Sequence, residues 1–194
     1  MITDEQIART DNAGGIGHAA VLEWLINQYI LPRHPDECFT FLEIGVWSAV
    51  CATYLLEKYP GMVYDGVDPY EAFQDVNQER VDIAKTIGLA RLEKFPNATL
   101  HIGTSAKASL RFADGGLDLV FIDGNHSYES CLQDMQLWWP KVRGVMAGHE
   151  YALGIDHSYN GVVRAVRDFC AAEHLTYQGG DQMVWWIVRE DANV

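Results

Sequence analysis

The 194 residues are enough for one domain with a sizeable core and short for two. Hydrophobic residues make up 48%, as in a globular protein, while a formal net charge of -13, with only 14 basic residues and no basic run, argues against nucleic acid as a partner. No apolar run reaches the ~20 residues that cross a bilayer, and the polar, acidic N-terminal stretch fits neither a signal peptide nor a transit peptide, so a cytoplasmic protein with no membrane partner is expected.

Ala19, Val21, Leu22, Leu25 and Ile26 fall at helical spacing and predict a helix over 17–29, ended by Pro32 and Pro35. Residues 38–44 read as a short apolar strand that halts at Gly45. A helix over 48–59 follows, closed by Pro60 and Gly61. A second strand over 62–67 ends at Asp68 and Pro69, and a helix over 76–89 comes next. The third strand, 98–102, stops at Gly103, with a short helix starting around Ser105. Residues 117–122 carry the strongest strand signal and end at Asp123 and Gly124. A helix over 128–139 runs to Pro140, a strand over 142–147 is interrupted by Gly144, a helix covers 160–173, and a last strand covers 182–188.

Strands alternating with helices predict an α/β fold, a doubly wound three-layer sandwich with a mostly parallel sheet. One domain over 1–194 is expected, with an N-terminal helical segment (1–35) and a core (36–194). Ligands in such folds bind beyond the carboxyl ends of the strands, where strand order reverses. Glu43 and Gly45, Asp68, Gly103 to Ser105, Asp123 to His126, and Gly148 to Tyr151 all lie at those ends. Cys38, Cys51, Cys131 and Cys170 form no CxxC pair or zinc spacing, and free thiols are expected.

The first turn discriminates between cofactors. A dinucleotide site needs G-x-G-x-x-G so that the backbone can approach a pyrophosphate, but Trp47 occupies the second glycine position. Glu43 places a carboxylate where phosphate would be repelled. This argues against a nicotinamide-dependent oxidoreductase. S-adenosylmethionine has no phosphate and carries a cationic amino group and a sulfonium, so an acid near the turn suits it. Asp68 lies 23 residues after Gly45, close to the ~20-residue offset of a carboxylate that binds ribose hydroxyls.

The segments FLEIGVW (41–47), GVDP (66–69), DLVFIDGNHSYE (118–129), Asp134, Trp138, GHEY (148–151) and GVVRAVRDF (161–169) occur in this order. The ordered set resembles a small family of class I S-adenosylmethionine-dependent methyltransferases, over about residues 38–169. The resemblance implies a Rossmann-like fold and methyl transfer, with oxygen of a sugar or another small polar metabolite as the acceptor. The rival reading is a non-catalytic nucleoside-binding protein with the same fold. The family usually has glycine where Ala49 stands, so crowding at the methionine end of the cofactor is expected. It usually has aspartate where Glu150 stands, so that carboxylate reaches one methylene further.

The cofactor residues expected are Glu43, Gly45, Trp47, Asp68, Thr104, Ser105 and Asp123. Glu43 either faces the amino end of the cofactor or caps a helix, and Ser105 is expected to be the N-cap of its helix. Catalysis is expected of His149 first, then His126, with Asp123. A histidine base can take the acceptor's proton. The alternative route is a Mg2+-type ion, which the resemblance implies in some relatives, held here by Asp123 and Glu150. Trp138, Trp139, Trp185 and Trp186 read as core or interface residues. Trp185 and Trp186 face opposite sides of one strand, so a covering helix or a homodimer contact is expected. Residues 152–160, with Asp156, His157 and Tyr159, read as a lid over the acceptor, His157 facing solvent.

Overall fold

The computed structural model describes residues 2–13, 17–73, 76–151, 161–179 and 181–189. The lid expected over 152–160, with Asp156, His157 and Tyr159, lies outside the described residues. Seven strands form one sheet: β1 (Thr40–Ile44), β2 (Val63–Asp68), β3 (Ala98–Ile102), β4 (Leu117–Ile122), β5 (Val142–Gly148), β6 (Gln178–Gly179) and β7 (Trp185–Val188). Their order is β3-β2-β1-β4-β5-β7-β6. The first five run parallel, and β7 pairs antiparallel with both β5 and β6. The expected doubly wound sandwich is therefore present, and strand order reverses between β1 and β4.

Among the described residues, seven α-helices cover the two faces: α1 (Asp4–Ala13), α2 (Gly17–Leu25), α3 (Val50–Lys58), α4 (Gln78–Leu92), α5 (Ser105–Ser109), α6 (Tyr128–Trp138) and α7 (Gly161–Glu173). Side chains alternate along each strand, so each strand feeds both layers. Phe41, Tyr64, Leu119, Phe121 and Trp186 pack with Leu22, Leu25, Ala52 and Leu55 of α2 and α3. Leu42, Val67, Val120, Met146 and Trp185 pack with Met135 and Trp138 of α6 and with Val163, Val166 and Phe169 of α7. Trp185 and Trp186 are thus both buried within one chain, and their burial needs no second subunit. β4 is buried at all six positions, which explains its strong sequence signal.

The helix starts follow capping chemistry. Asn77 accepts from the Arg80 amide before α4, and Ser127 accepts from the Ser130 amide before α6. α2 gives way at Leu25 to a π-helical turn over Ile26–Ile30 and then a 3-10 turn over Leu31–Arg33, so the helical run ends between Pro32 and Pro35; Pro32 sits in the first 3-10 turn and needs no N–H partner. α1 falls within the expected N-terminal helical segment (1–35), but no periodicity marked its bounds, because it is polar, with Ile7 its one large apolar residue. Three cysteines are buried, Cys38 is exposed, and all four are free. Among the described residues, no helix is long and apolar enough to cross a membrane.

Candidate active site

A cleft of about 350 Å3 opens beyond the carboxyl ends of β1 to β4, a volume typical of small-molecule sites. Its floor is the turn after β1. Gly45 has φ +89°, and a Cβ there would stand 2.2 Å from the Asp123 carbonyl oxygen. Only glycine lets the ends of β1 and β4 close in this way. Trp47 and Ala49 are also left-handed, at φ 51° and 57°, a conformation that costs a residue with a Cβ about 1–2 kcal/mol.

Hydrogen bonds hold the strained turn. The Trp47 amide donates to Asp68 (3.0 Å), its carbonyl accepts from the Tyr70 hydroxyl (2.9 Å), and its indole donates to the Thr10 carbonyl of α1 (3.0 Å). Asp68 also accepts from the Tyr70 amide at 2.7 Å. Burial raises the pKa of Asp68, and these backbone bonds oppose the rise. The Val46 amide adds a third bond, and a carboxylate with about four acceptor positions keeps room for a ligand hydroxyl.

At the opposite end, the Thr104 hydroxyl caps α5, accepting from the Lys107 amide at 3.4 Å. Ser105 lies one residue inside the helix, so the expected cap at Ser105 is corrected to Thr104. The Ser105 hydroxyl instead accepts from the Trp138 indole at 2.7 Å. Beside it Asp134 of α6 lines the cleft while 7% exposed. Burial pushes its carboxyl up to about 6, and the Ser105 hydroxyl opposes the rise. Asp68, Glu71, Asp123 and Asp134 all line the cleft, and among the described residues no Lys or Arg does. Such a lining repels phosphates and suits a cationic ligand.

Asp123 joins the cleft to a histidine cluster. Its Oδ1 meets His126 Nε2 and His149 Nδ1, each at 3.2 Å, and its Oδ2 meets His18 Nδ1 at 3.2 Å. Burial works against the Asp123 charge, but the three imidazoles outweigh it and hold its pKa well below the carboxylate range. The His18 and His149 rings stack, with centroids 3.8 Å apart. The His126 side chain is 39% exposed and that of His149 12%. Burial opposes charge on His126, yet the bond to Asp123 and the nearby Asp123 and Glu150 charges raise its pKa overall. His18, Asp123 and His149 bring two imidazole nitrogens and a carboxylate oxygen within 4.8 Å of one another, a donor set that fits a divalent metal ion.

Known proteins resolve what kind of cleft this is. Residues 42–151, more than half of the chain, match a family model described as a methyltransferase domain. The chain belongs to this methyltransferase family. It is an S-adenosylmethionine-dependent enzyme of class I fold, as the ordered motifs imply. No curated protein sequence matches it. Among solved structures, the methyltransferase is similar to a Corynebacterium glutamicum protein, at 15% identity and TM-score 0.64, over 97% of this chain and 91% of that one. It is similar to cofactor-bound Rv0187 from MTB, at 18% identity and TM-score 0.60, over 96% and 90% of the two chains. A Staphylococcus aureus protein described as a candidate caffeoyl-CoA O-methyltransferase is similar at 14% identity and TM-score 0.59, over 89% and 82%. At these identities the likeness is one of fold.

The methyltransferase brings Gly45, Trp47, Asp68, Thr104, Ser105 and Asp123 into one cleft lining. Glu43 stands apart. It is buried behind the turn, where its carboxyl accepts from the Tyr64 hydroxyl at 2.5 Å, and it neither lines the cleft nor caps a helix. Burial pushes Glu43 up to about 8, the Tyr64 bond opposing and the Asp123 and Asp68 charges adding to the rise, so its proton is held at neutral pH. Ala49 does not line the cleft either. It is buried in the core under α3, so its consequence is backbone strain rather than crowding of a ligand. Glu150, left-handed at φ 60°, is not in the His18, Asp123 and His149 group; its charge acts on His126.

Two residues given no site role from the sequence complete the site. Asp134 is one; it stands in the ordered motif set, but an acid on a helix gives no sign of facing inward. His18 is the other. It lies 105 positions before Asp123 and follows no strand, so only the packing of α2 against Phe121 brings them together.

Proposed function

We propose that this methyltransferase moves the methyl group of S-adenosylmethionine to an oxygen of a sugar or another small polar metabolite, with a divalent ion assisting at Asp123. The observation that supports the cofactor placement is the cleft lining, which among the described residues carries four carboxyls and no Lys or Arg, matched to a ligand with an ammonium and a sulfonium and no phosphate. Asp68 takes the ribose hydroxyls. Thr104, Ser105 and Asp134 form the adenine end, where Asp134 is placed to accept from the exocyclic amine. Gly45, Trp47 and Asp123 border the methionine end.

Transfer is a displacement at carbon. A lone pair on the acceptor oxygen forms the new O–C bond as the C–S bond breaks, and its electrons stay on sulfur as S-adenosylhomocysteine forms. The acceptor oxygen must lose a proton, and the imidazoles on Asp123 are the bases at hand. His126 is the more open of the two expected bases and takes that proton, while His149, turned toward His18, holds Asp123 in place. A divalent ion, when bound, lowers the pKa of the acceptor hydroxyl.

The test is incubation with S-adenosylmethionine and a panel of sugars and other hydroxylated metabolites, reading S-adenosylhomocysteine and an acceptor heavier by one methylene unit. Acceptor-dependent product, reduced about 100- to 10,000-fold in His126→Gln, is the expected result. Cofactor that binds but is never turned over, with any acceptor in the panel, supports the non-catalytic reading instead.

A further inference from the structure

We propose that His18, Asp123 and His149 form a mixed nitrogen and oxygen site for a first-row transition ion of the Zn2+, Co2+, Fe2+ and Mn2+ class, rather than for Mg2+. In relation to the proposed function, this inference rests on the metal-assisted reading only for its catalytic meaning; ion binding stands by itself. Donor chemistry comes first. Mg2+ takes oxygen ligands almost exclusively, whereas two imidazoles and one carboxylate suit zinc, cobalt and iron.

Geometry agrees. Ligand atoms that share an ion at ~2.0–2.2 Å stand roughly 3.0–3.5 Å apart, and both Nδ1 atoms lie 3.2 Å from an Asp123 oxygen. The stacked rings, 3.8 Å apart and 24° from parallel, present their Nδ1 atoms side by side to the two oxygens of a single carboxylate. Three protein ligands are the complement of a catalytic site with positions left for substrate, and Asp123 is the ligand that lines the cleft.

Because His18 opens α2, the ion would tie the N-terminal segment to the ends of β4 and β5. The ligand set also differs from an Asp123 and Glu150 pair, since Glu150 lies outside the group.

The experiment is Co2+ titration of the whole chain without cofactor or acceptor, read by the visible d–d absorption of bound cobalt. The expected result is one site, emptied by equimolar Zn2+ but kept against Mg2+ in large excess. His18→Gln and, separately, His149→Gln should weaken it by more than the roughly 10- to 100-fold that losing an outer-shell partner costs, while Glu150→Gln leaves the spectrum unchanged. Circular dichroism checks that each variant is folded, and the second histidine variant serves if one is not. No cobalt band in the wild type, an intact band in both folded histidine variants, displacement by Mg2+, or loss of the band in Glu150→Gln would overturn the proposal. S-adenosylmethionine affinity, measured separately on the wild type, tells a failure of the transferase reading from a failure of the metal site.

Discussion

Burial in the cleft pushes the Asp134 carboxyl up to about 6 from an ordinary 3.8. A folded-state value above the unfolded one means that the folded chain binds the proton more tightly. The penalty is therefore absent below about pH 4, grows between pH 4 and 6, and is complete above pH 6. Asp134→Asn removes it, and chemical denaturation at pH 7.5 should show stabilisation of up to about 3 kcal/mol that fades toward pH 4. The same variant should bind S-adenosylmethionine more weakly, because a buried acid retained at a cost to the fold is explained by the ligand it serves. Stabilisation with unchanged cofactor affinity would remove Asp134 from the site. Ala49 gives a second residue-scale prediction. At φ 57° its Cβ costs about 1–2 kcal/mol, part of which the entropy of glycine takes back. Ala49→Gly should raise stability by about 0.5–1 kcal/mol in thermal unfolding, without improving cofactor affinity, since Ala49 does not line the cleft.

At the scale of elements, α1 is tied to the turn after β1 and to α4 by the Asp11 side chain and the Thr10 carbonyl. The Asp11 carboxylate pairs bidentately with Arg91 of α4, at 2.6 Å for both bonds, and accepts from the Ser48 hydroxyl at 3.0 Å. The Arg91 hydrogen bond is the main cause of the lowered Asp11 pKa. With the Trp47 indole bond to Thr10, this clip holds α1 over the strained turn. Asp11→Ala should lose about 1–2 kcal/mol of local stability. Hydrogen exchange should show faster amides in α1 and in the turn at 45–49, with β4 unchanged; equal protection in both chains would dismiss the clip. Sequence periodicity did not show α1, because polar helices leave no apolar stripe. It did show β1 to β5, from the fully buried run of β4 to the edge strand β3, which has no buried position but is bounded by Pro96 and Gly103. β6 was missed because two residues leave no pattern, and the antiparallel turn of β7 is a tertiary choice. Cleft residues at strand ends, such as Gly45, Asp68 and Asp123, were legible because topology fixes where strand ends lie. His18 and Asp134 were not, because a helix presents a side chain to a site only through its packing.

Over the whole molecule, charge is divided between the two ends of the sheet. The carboxyl end carries the acidic cleft. At the amino end, Asp118 is paired with Arg143 (2.7 and 2.8 Å), meets His34 Nε2 at 2.9 Å and accepts from the Thr40 amide at 2.8 Å. Burial opposes its charge, but the Arg143 and Thr40 bonds prevail and its pKa is lowered. This contribution is present above the unfolded value of about 3.9 and is lost as pH falls through the folded one. Asp118→Asn should cost about 2–4 kcal/mol near neutral pH in denaturant unfolding and leave cofactor affinity intact, since Asp118 lies at the far end of β4. The acidic cleft is the part that defines the molecule. Its central claim is met most directly by isothermal calorimetry of S-adenosylmethionine on the wild type and on Asp68→Ala. The account predicts binding by the wild type, weakened about 10- to 150-fold in a folded Asp68→Ala by the loss of hydrogen bonds to a charged group. Equal affinity in both chains, or no binding by the wild type, would contradict it.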